Sequence, residues 1–251
     1  DAERIFIGNG VSELIDLSLR ALLHDGDEVL LPSPDYPLWS AATILNGGQP
    51  RYYHCLARNG HQPDPDEIES LITPRTKALV LRVDSPGGGA AASQELYEAL
   101  ARLGKDKPVA VSMGSTAASG GLMVSMAGRR VFANASTVTG SIGVRMDIPQ
   151  IRGLLDKLGL GRQTLTTAPY KDAGSMLEPL TAEEKAYFQG VLKDMHEQFV
   201  DIVAQGRHMD RARAARLATG KIFTGREAVE LGLVDELGGQ QAAHRWLADI
   251  C

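Results

Sequence analysis

The chain has only two cysteines in 251 residues, Cys55 beside His54 and Cys251 at the last position. That is too few and too far apart for a disulfide framework or a Cys/His metal site, so both read as unpaired thiols and no metal is expected. Aromatic residues are scarce at 5% against 43% hydrophobic residues in all. A core here has to be assembled from Val, Leu, Ile and Ala. No apolar run reaches the roughly 18 residues that a membrane span needs, and the opening Asp1-Ala2-Glu3-Arg4 is not a signal-peptide start, so neither anchor nor address is expected. A net charge of -5 with no basic stripe interleaved with aromatics gives no reason to expect a nucleic-acid partner. Internal repeats, low-complexity tracts and charge blocks are also missing. Histidine is present, but none is placed to activate a serine. A hydrolase built here needs another base, and a desolvated lysine amine can serve.

What the sequence does contain is an alternation of short apolar runs and amphipathic stretches. Gly8-Asn9-Gly10 reads as a tight turn feeding a helix from Val11 to Leu23, stopped by His24-Asp25-Gly26-Asp27. Strands are predicted over 28–31 and 52–55, a loop over 32–37 and a short helix over 66–72. The apolar strand 77–83 ends in Asp84-Ser85-Pro86-Gly87-Gly88-Gly89. A helix over 93–103 follows, then a strand over 108–113. Further strands are predicted over 130–133, 141–144 and 163–166, with a helix over 148–158. The long helix 181–205 opens on a capping box, Thr181 three residues before Glu184, and helices over 211–217, 226–231 and 240–248 complete the pattern. Strand and helix in alternation predict an α/β fold with a parallel sheet covered on both faces.

Two short segments carry candidate chemistry. Ser119 lies in Met113-Gly114-Ser115-Thr116-Ala117-Ala118-Ser119-Gly120-Gly121, directly after an apolar run. Small neighbours let a sharp turn expose its hydroxyl at a helix N-terminus, where free N–H groups point outward. The Gly87-Gly88-Gly89 turn can bring a further backbone N–H alongside, and a tetrahedral intermediate needs such donors. Lys171, in Tyr170-Lys171-Asp172, follows a Thr/Ala/Pro/Tyr loop; to act as a base it must be neutral, through burial or neighbouring positive charge. Residue chemistry alone leaves Ser115, Ser119 and Ser141 as competing hydroxyls.

The order of motifs separates them. Residues 77–239 carry Asp84-Ser85-Pro86-Gly87-Gly88-Gly89, then the Ser119 segment, then Thr139-Gly140-Ser141-Ile142-Gly143-Val144, Tyr170-Lys171-Asp172-Ala173-Gly174-Ser175, Ile222-Phe223-Thr224-Gly225-Arg226-Glu227-Ala228 and Leu231-Gly232-Leu233-Val234-Asp235-Glu236-Leu237. This series resembles the signal peptide peptidase A family in its short form. The resemblance implies a ClpP/crotonase-like fold, Ser119 as nucleophile, Lys171 as general base, and the N–H groups of Gly88 and Gly120 as oxyanion donors. It also implies a homo-oligomeric ring whose neighbouring subunits complete each site, and short apolar substrates such as signal peptides. The family is membrane-anchored with an extracytoplasmic catalytic domain; its anchor and opening elements are not recognisable before residue 77, so the compartment is left open. Leu122-Met123 stand where relatives usually carry aromatics, which predicts an altered pocket lining.

Residues 4–81 resemble a different family, the pyridoxal-phosphate fold-type-I aminotransferases of the alanine-transaminase kind. The carriers are Gly8-Asn9-Gly10-Val11-Ser12-Glu13-Leu14, Gly26-Asp27-Glu28-Val29, Pro34-Asp35-Tyr36-Pro37-Leu38-Trp39 and Thr73-Pro74-Arg75-Thr76-Lys77. In that family Gly10, Val11 and Ser12 hold the cofactor phosphate and Tyr36 stacks on the ring. Asp84-Ser85-Pro86 replaces the Asn-Pro segment that continues an aminotransferase, and the Schiff-base lysine is not reached, so the positions read as vestigial and no cofactor is expected. The chain therefore reads as chimeric: a partial aminotransferase-like α/β segment over 1–76, then a ClpP/crotonase-like peptidase domain over 77–251. A catalytically inactive crotonase-like scaffold and an aminotransferase fragment are the competing functions.

Overall fold

The computed structural model describes residues 16, 19–20, 22–33, 37–56, 64–76 and 79–250. Gly10, Val11, Ser12 and Tyr36 lie outside these residues, as does most of the helix predicted over 11–23. The first described sheet has two parallel strands, β1 (Glu28–Ser33) and β2 (Gln49–His54), joined through helix α1 (Pro37–Leu45). The sequence predicts a loop over 32–37. Instead β1 runs to Ser33 and Pro37 opens α1, a first helical position where the missing N–H of proline costs nothing. Leu19, Leu23, Val29, Leu38, Trp39 and Ala42 pack together beneath this unit. Helix α2 (Pro65–Leu71) follows. The Glu28 side chain, 1% exposed, is held by Arg75 at 2.9 Å and by the Thr73 hydroxyl at 2.6 Å, and Thr76 bridges to Glu28 in parallel.

The second sheet is built around β4 (Val109–Ala118). β3 (Leu79–Ser85) runs parallel to it. β5 (Arg130–Ala133) pairs with Ala110–Ser112 of β4, and β6 (Val138–Gly140) with Thr116–Ala118, so two successive strands share the other side of one long strand. Short strands β7 (Ile222–Thr224), antiparallel to β6, and β8 (Glu236–Leu237), parallel to β5, complete the six. Helices α3 (Ala90–Leu103), α4 (Gly120–Ser125), α5 (Arg152–Leu158), α6 (Ala182–Gly206), α7 (Arg211–Leu217), α8 (Gly225–Leu231) and α9 (Gln240–Ile250) lie between and after these strands along the chain.

Alternation along β4 sorts its side chains to two faces. Val111 and Met113 join Leu122, Val131, Phe199 and Val203 in the main core, whereas Ala110 packs with Phe132, Ala243 and Leu247 beneath α9. Helix α6 begins with the expected capping box of Thr181 and Glu184, but only its far end, at Phe199, Val200, Ile202 and Val203, is buried. Two strand predictions fail. The strand expected over 141–144 lies instead at Val138–Gly140, because positive φ at Gly140 (82°) and Ser141 (52°) turns the chain out of extended geometry. Residues 163–166 form no strand and are exposed; without a sheet edge to pair with, their backbone has no ladder to join. The helix predicted from 148 starts at Arg152.

Candidate active site

β4 runs five residues past its predicted end, and this extension delivers Ser119. Opposite β3, the pairing steps from Val83–Met113 to Ser85–Ala117. Asp84 thus faces Gly114, Ser115 and Thr116, a bulge in β4 that increases local twist and re-aims the residues beyond it. Buried Thr137 donates its hydroxyl to the Gly114 carbonyl at 2.7 Å and buried Thr139 to the Ala117 carbonyl at 2.6 Å, fixing the bulge from the β6 side.

Ser119 then adopts φ 53° and ψ -120° at the N-cap of α4, a conformation that costs a non-glycine residue about 1–3 kcal/mol and is held only when its surroundings over-determine it. Its N–H donates to the Gly140 carbonyl at 2.9 Å and its carbonyl accepts from Met123 at 3.0 Å. The hydroxyl does not cap the helix it begins. Strand, strained serine and helix thus follow in succession, forming a sharp strand-to-helix elbow.

The glycine turn lies directly against this elbow. Gly87, at φ 106°, leaves no room for a side chain: a Cβ there would stand 2.7 Å from the Ser119 Cβ and 2.8 Å from the Gly120 nitrogen. A Cβ on Gly120 would overlap the Ser93 hydroxyl and stand 3.3 Å from the Gly88 nitrogen. The Gly88 and Gly120 backbones are therefore close together at the contact of Gly87 with Ser119, and neither N–H donates to another described residue. Of the competing hydroxyls, Ser115 is exposed on the bulge, while Ser141 lies beyond β6 with its N–H donating to the Lys221 carbonyl at 2.7 Å. Leu122 and Met123 are buried in the main core.

Lys171 is not brought to Ser119 within the chain. It is exposed, in a turn where its N–H donates to the Ala168 carbonyl at 3.1 Å, and no described contact joins it to the elbow. Around it, Asp172 pairs with Arg162 at 3.0 Å and Tyr170 packs on Tyr187 with ring centroids 5.1 Å apart. The segment from Arg145 to Leu180 is mostly exposed, including Leu154, Leu158, Leu160 and Leu165 at 56–92%.

The positions that the resemblance assigns to pyridoxal phosphate, Gly10, Val11, Ser12 and Tyr36, lie outside the described residues. After β3 the chain enters a turn in which Gly87 abuts Ser119. Among the described residues no group of His, Cys, Asp and Glu could hold a metal, and no helix is long and apolar enough to cross a membrane.

Comparison with known proteins finds two families in the chain. Residues 101–250 match peptidase family S49, and residues 1–132 match the aminotransferase class I and II family, so the two overlap over 101–132. The Synechocystis protein slr0021, provisionally named a protease, is 40% identical over 73% of this chain and 66% of its own length. The chloroplastic serine protease SPPA of Arabidopsis thaliana is 35% identical over 95% of this chain and 41% of its own. The alanine aminotransferase of Mycobacterium bovis is 50% identical over 42% of this chain and 24% of its own. The chain thus spans less than two thirds of the length of each of these relatives. With the elbow, the glycine turn and these matches together, the chain belongs to peptidase family S49 and carries, on its amino-terminal side, a segment of the aminotransferase class I and II family.

Proposed function

We propose that the chain is a serine endopeptidase in which Ser119 and Lys171 form a Ser/Lys dyad acting on short apolar peptides such as signal peptides. The observation that carries this reading is the strained Ser119 at the N-cap of α4, with Gly87 packed against it and the Gly88 and Gly120 backbones close together. The Ser119 oxygen attacks the peptide carbonyl while the neutral Lys171 amine takes its proton. The Gly88 and Gly120 N–H groups receive the developing oxyanion. Lys171 returns the proton to the leaving amine, and water, deprotonated by the same amine, then releases the acyl group from Ser119.

The exposure of Lys171 is accounted for if its partner serine belongs to a second copy of the chain. The apolar side chains around it, Leu154, Leu158, Leu160 and Leu165, supply a surface that such a homo-oligomer would cover. We place the join between the two family segments within residues 77–81, a reading supported by the bridge from Thr76 to Glu28 on one side and by the pairing of Leu79 onward with β4 on the other.

Hydrolysis of a leucine-rich fluorogenic peptide by the full chain, by Ser119→Ala and by Lys171→Ala tests the dyad. Both variants should lose turnover, and mixing the two should restore part of it, because each supplies what the other lacks. Equal background in all three would leave an inactive scaffold, and two dead variants that stay dead on mixing would place both groups in one copy.

A further inference from the structure

The bulge in β4 is held from the β3 side by a single carboxylate. Asp84 accepts from the Thr116 N–H at 3.0 Å and from the Ser115 N–H. Gly114 completes the fit, since a Cβ there would come within 2.5 Å of the Asp84 carboxylate. Two residues earlier on β3, Arg82 donates to the Ser112 hydroxyl at 2.8 Å and to the Met113 carbonyl at 3.3 Å. Together these side chains grip β4 just before and within the irregularity. Between the bulge and Ser119 lie only Ala117, pinned to Ser85 and Thr139, and Ala118.

From this we infer that Asp84 is a positioning residue: its carboxylate fixes the bulge that sets Ser119 against the Gly87–Gly88 turn. The inference rests on the reading of Ser119 as nucleophile. The unpaired amides of a bulge otherwise have no fixed partner, and the strand is then free to regularise. A slip of one residue moves a strand by about 3.3 Å and reverses its side chains. A misplacement of even about 1 Å costs on the order of 100-fold in rate. Asp84 itself is exposed and contributes little to the core, so its removal should act on alignment more than on folding. The Thr116 and Ser115 N–H groups hold its carboxyl below the ordinary range against a small opposing effect of burial, with Arg82 adding to the lowering. The acceptor is therefore a carboxylate throughout the neutral range.

The test compares the full chain with Asp84→Ala, Asp84→Asn and Ser119→Ala by peptide hydrolysis, by the rate of Ser119 acylation with a fluorophosphonate, and by hydrogen exchange of the segment 113–124. For Asp84→Ala, kcat and the acylation rate should fall about 100-fold with KM within about threefold, and exchange at 113–124 should rise while the rest of the chain is unchanged. Asp84→Asn, which keeps one acceptor oxygen, should fall between. A purely structural role would lower the melting temperature and leave the kcat of the folded fraction alone. If Ser119→Ala abolishes hydrolysis but Asp84→Ala stays within twofold of the parent, the positioning role is overturned and the dyad stands. If Ser119→Ala is as active as the parent, the dyad reading fails; Asp84 is then judged by exchange alone, and unchanged protection at 113–124 overturns its hold on the bulge. Should Asp84→Ala not fold, the same criteria apply to Asp84→Asn.

Discussion

Replacing Asp235 with alanine should destabilise the chain more than any exposed ion-pair substitution. The Asp235 carboxylate accepts two N–H groups of Arg207, at 3.0 and 2.5 Å, and the Val131 N–H at 2.7 Å, while Arg207 also donates to the Gly232 carbonyl at 3.0 Å. The cluster ties the end of α6 to β5 and to the turn after α8. The Arg207 side chain is only 8% exposed and Asp235 27%. Alanine strands a buried guanidinium and orphans the Val131 amide, a change that costs about 3–5 kcal/mol. For a chain of this size each kcal/mol lowers the melting temperature by roughly 2–4 °C, so a loss of about 3 kcal/mol amounts to about 6–12 °C. The control is Glu236→Ala, whose partner Arg130 lies at 3.0 Å but whose pair is 39% and 52% exposed; such pairs contribute about 0–1 kcal/mol. Burial opposes ionisation of Asp235, yet Arg207, the Val131 N–H and Arg130 outweigh it and hold its pKa below the ordinary 3.8. The stabilisation is therefore complete above the ordinary value and is lost as pH falls through the lower, folded one. Thermal and urea unfolding at fixed protein concentration, at neutral and acid pH, gives both quantities. Equal losses for Asp235→Ala and Glu236→Ala would refute the assignment of a buried lock.

Gly87→Ala should lower kcat by about 100-fold or more, because its φ of 106° and the 2.7 Å approach to Ser119 force the elbow to move; Gly89→Ala, which meets open space, should stay within about twofold in the same peptide assay. Acidification should loosen α9. His244 stacks on Trp39 with centroids 5.8 Å apart, its Nε2 is buried without a hydrogen-bond partner among the described residues, and burial lowers its pKa from 6.5 to about 4. Between those values the unfolded chain takes up a proton that the folded chain refuses, so stability falls with pH by up to about 1.4 kcal/mol per unit; denaturation from pH 7 to 5 should show this slope, and His244→Phe should flatten it. Leu165→Asp, at a side chain 92% exposed, should leave the melting temperature within about 2 °C and convert any homo-oligomer to a smaller species in sedimentation. An unchanged assembly would move the second copy off this surface.

Sequence patterns located the elements whose signals are local. The strand Arg130–Ala133 and the helix Arg211–Leu217 have their expected bounds, and the Thr181 capping box opens its helix where the Thr-x-x-Glu spacing puts it. Ser141–Val144 misled because β-prone residues follow Gly140 and Ser141, whose positive φ only the assembled sheet imposes. Helix α1 was hidden among prolines that read as loop, although Pro37 suits a first helical position. At the site, the glycines and Ser119 were legible as a motif. The bulge was not, because it exists only in the register between β3 and β4, and its signal in sequence is no more than an aspartate before a glycine-rich turn. Nor does any local pattern disclose that Lys171 is exposed and apart from Ser119.

β3 is bound into the larger sheet on both faces: its alternating Leu79, Leu81 and Val83 fit beside β4, and Val80 packs on the other face against the cluster of Phe132, Ala243 and Leu247. The aminotransferase-like unit retains its own hydrogen-bonded pair, β1 and β2, and reaches the larger sheet's surroundings through Trp39 on His244 and through the Lys107 ammonium, which donates to the Pro74 carbonyl at 3.3 Å. Among the described residues no strand of the larger sheet pairs with β1 or β2. The elbow, its bulge and its glycine turn are built wholly from β3, β4, β6 and the segments between them, so the chemistry proposed for Ser119 does not require the amino-terminal unit to do more than pack.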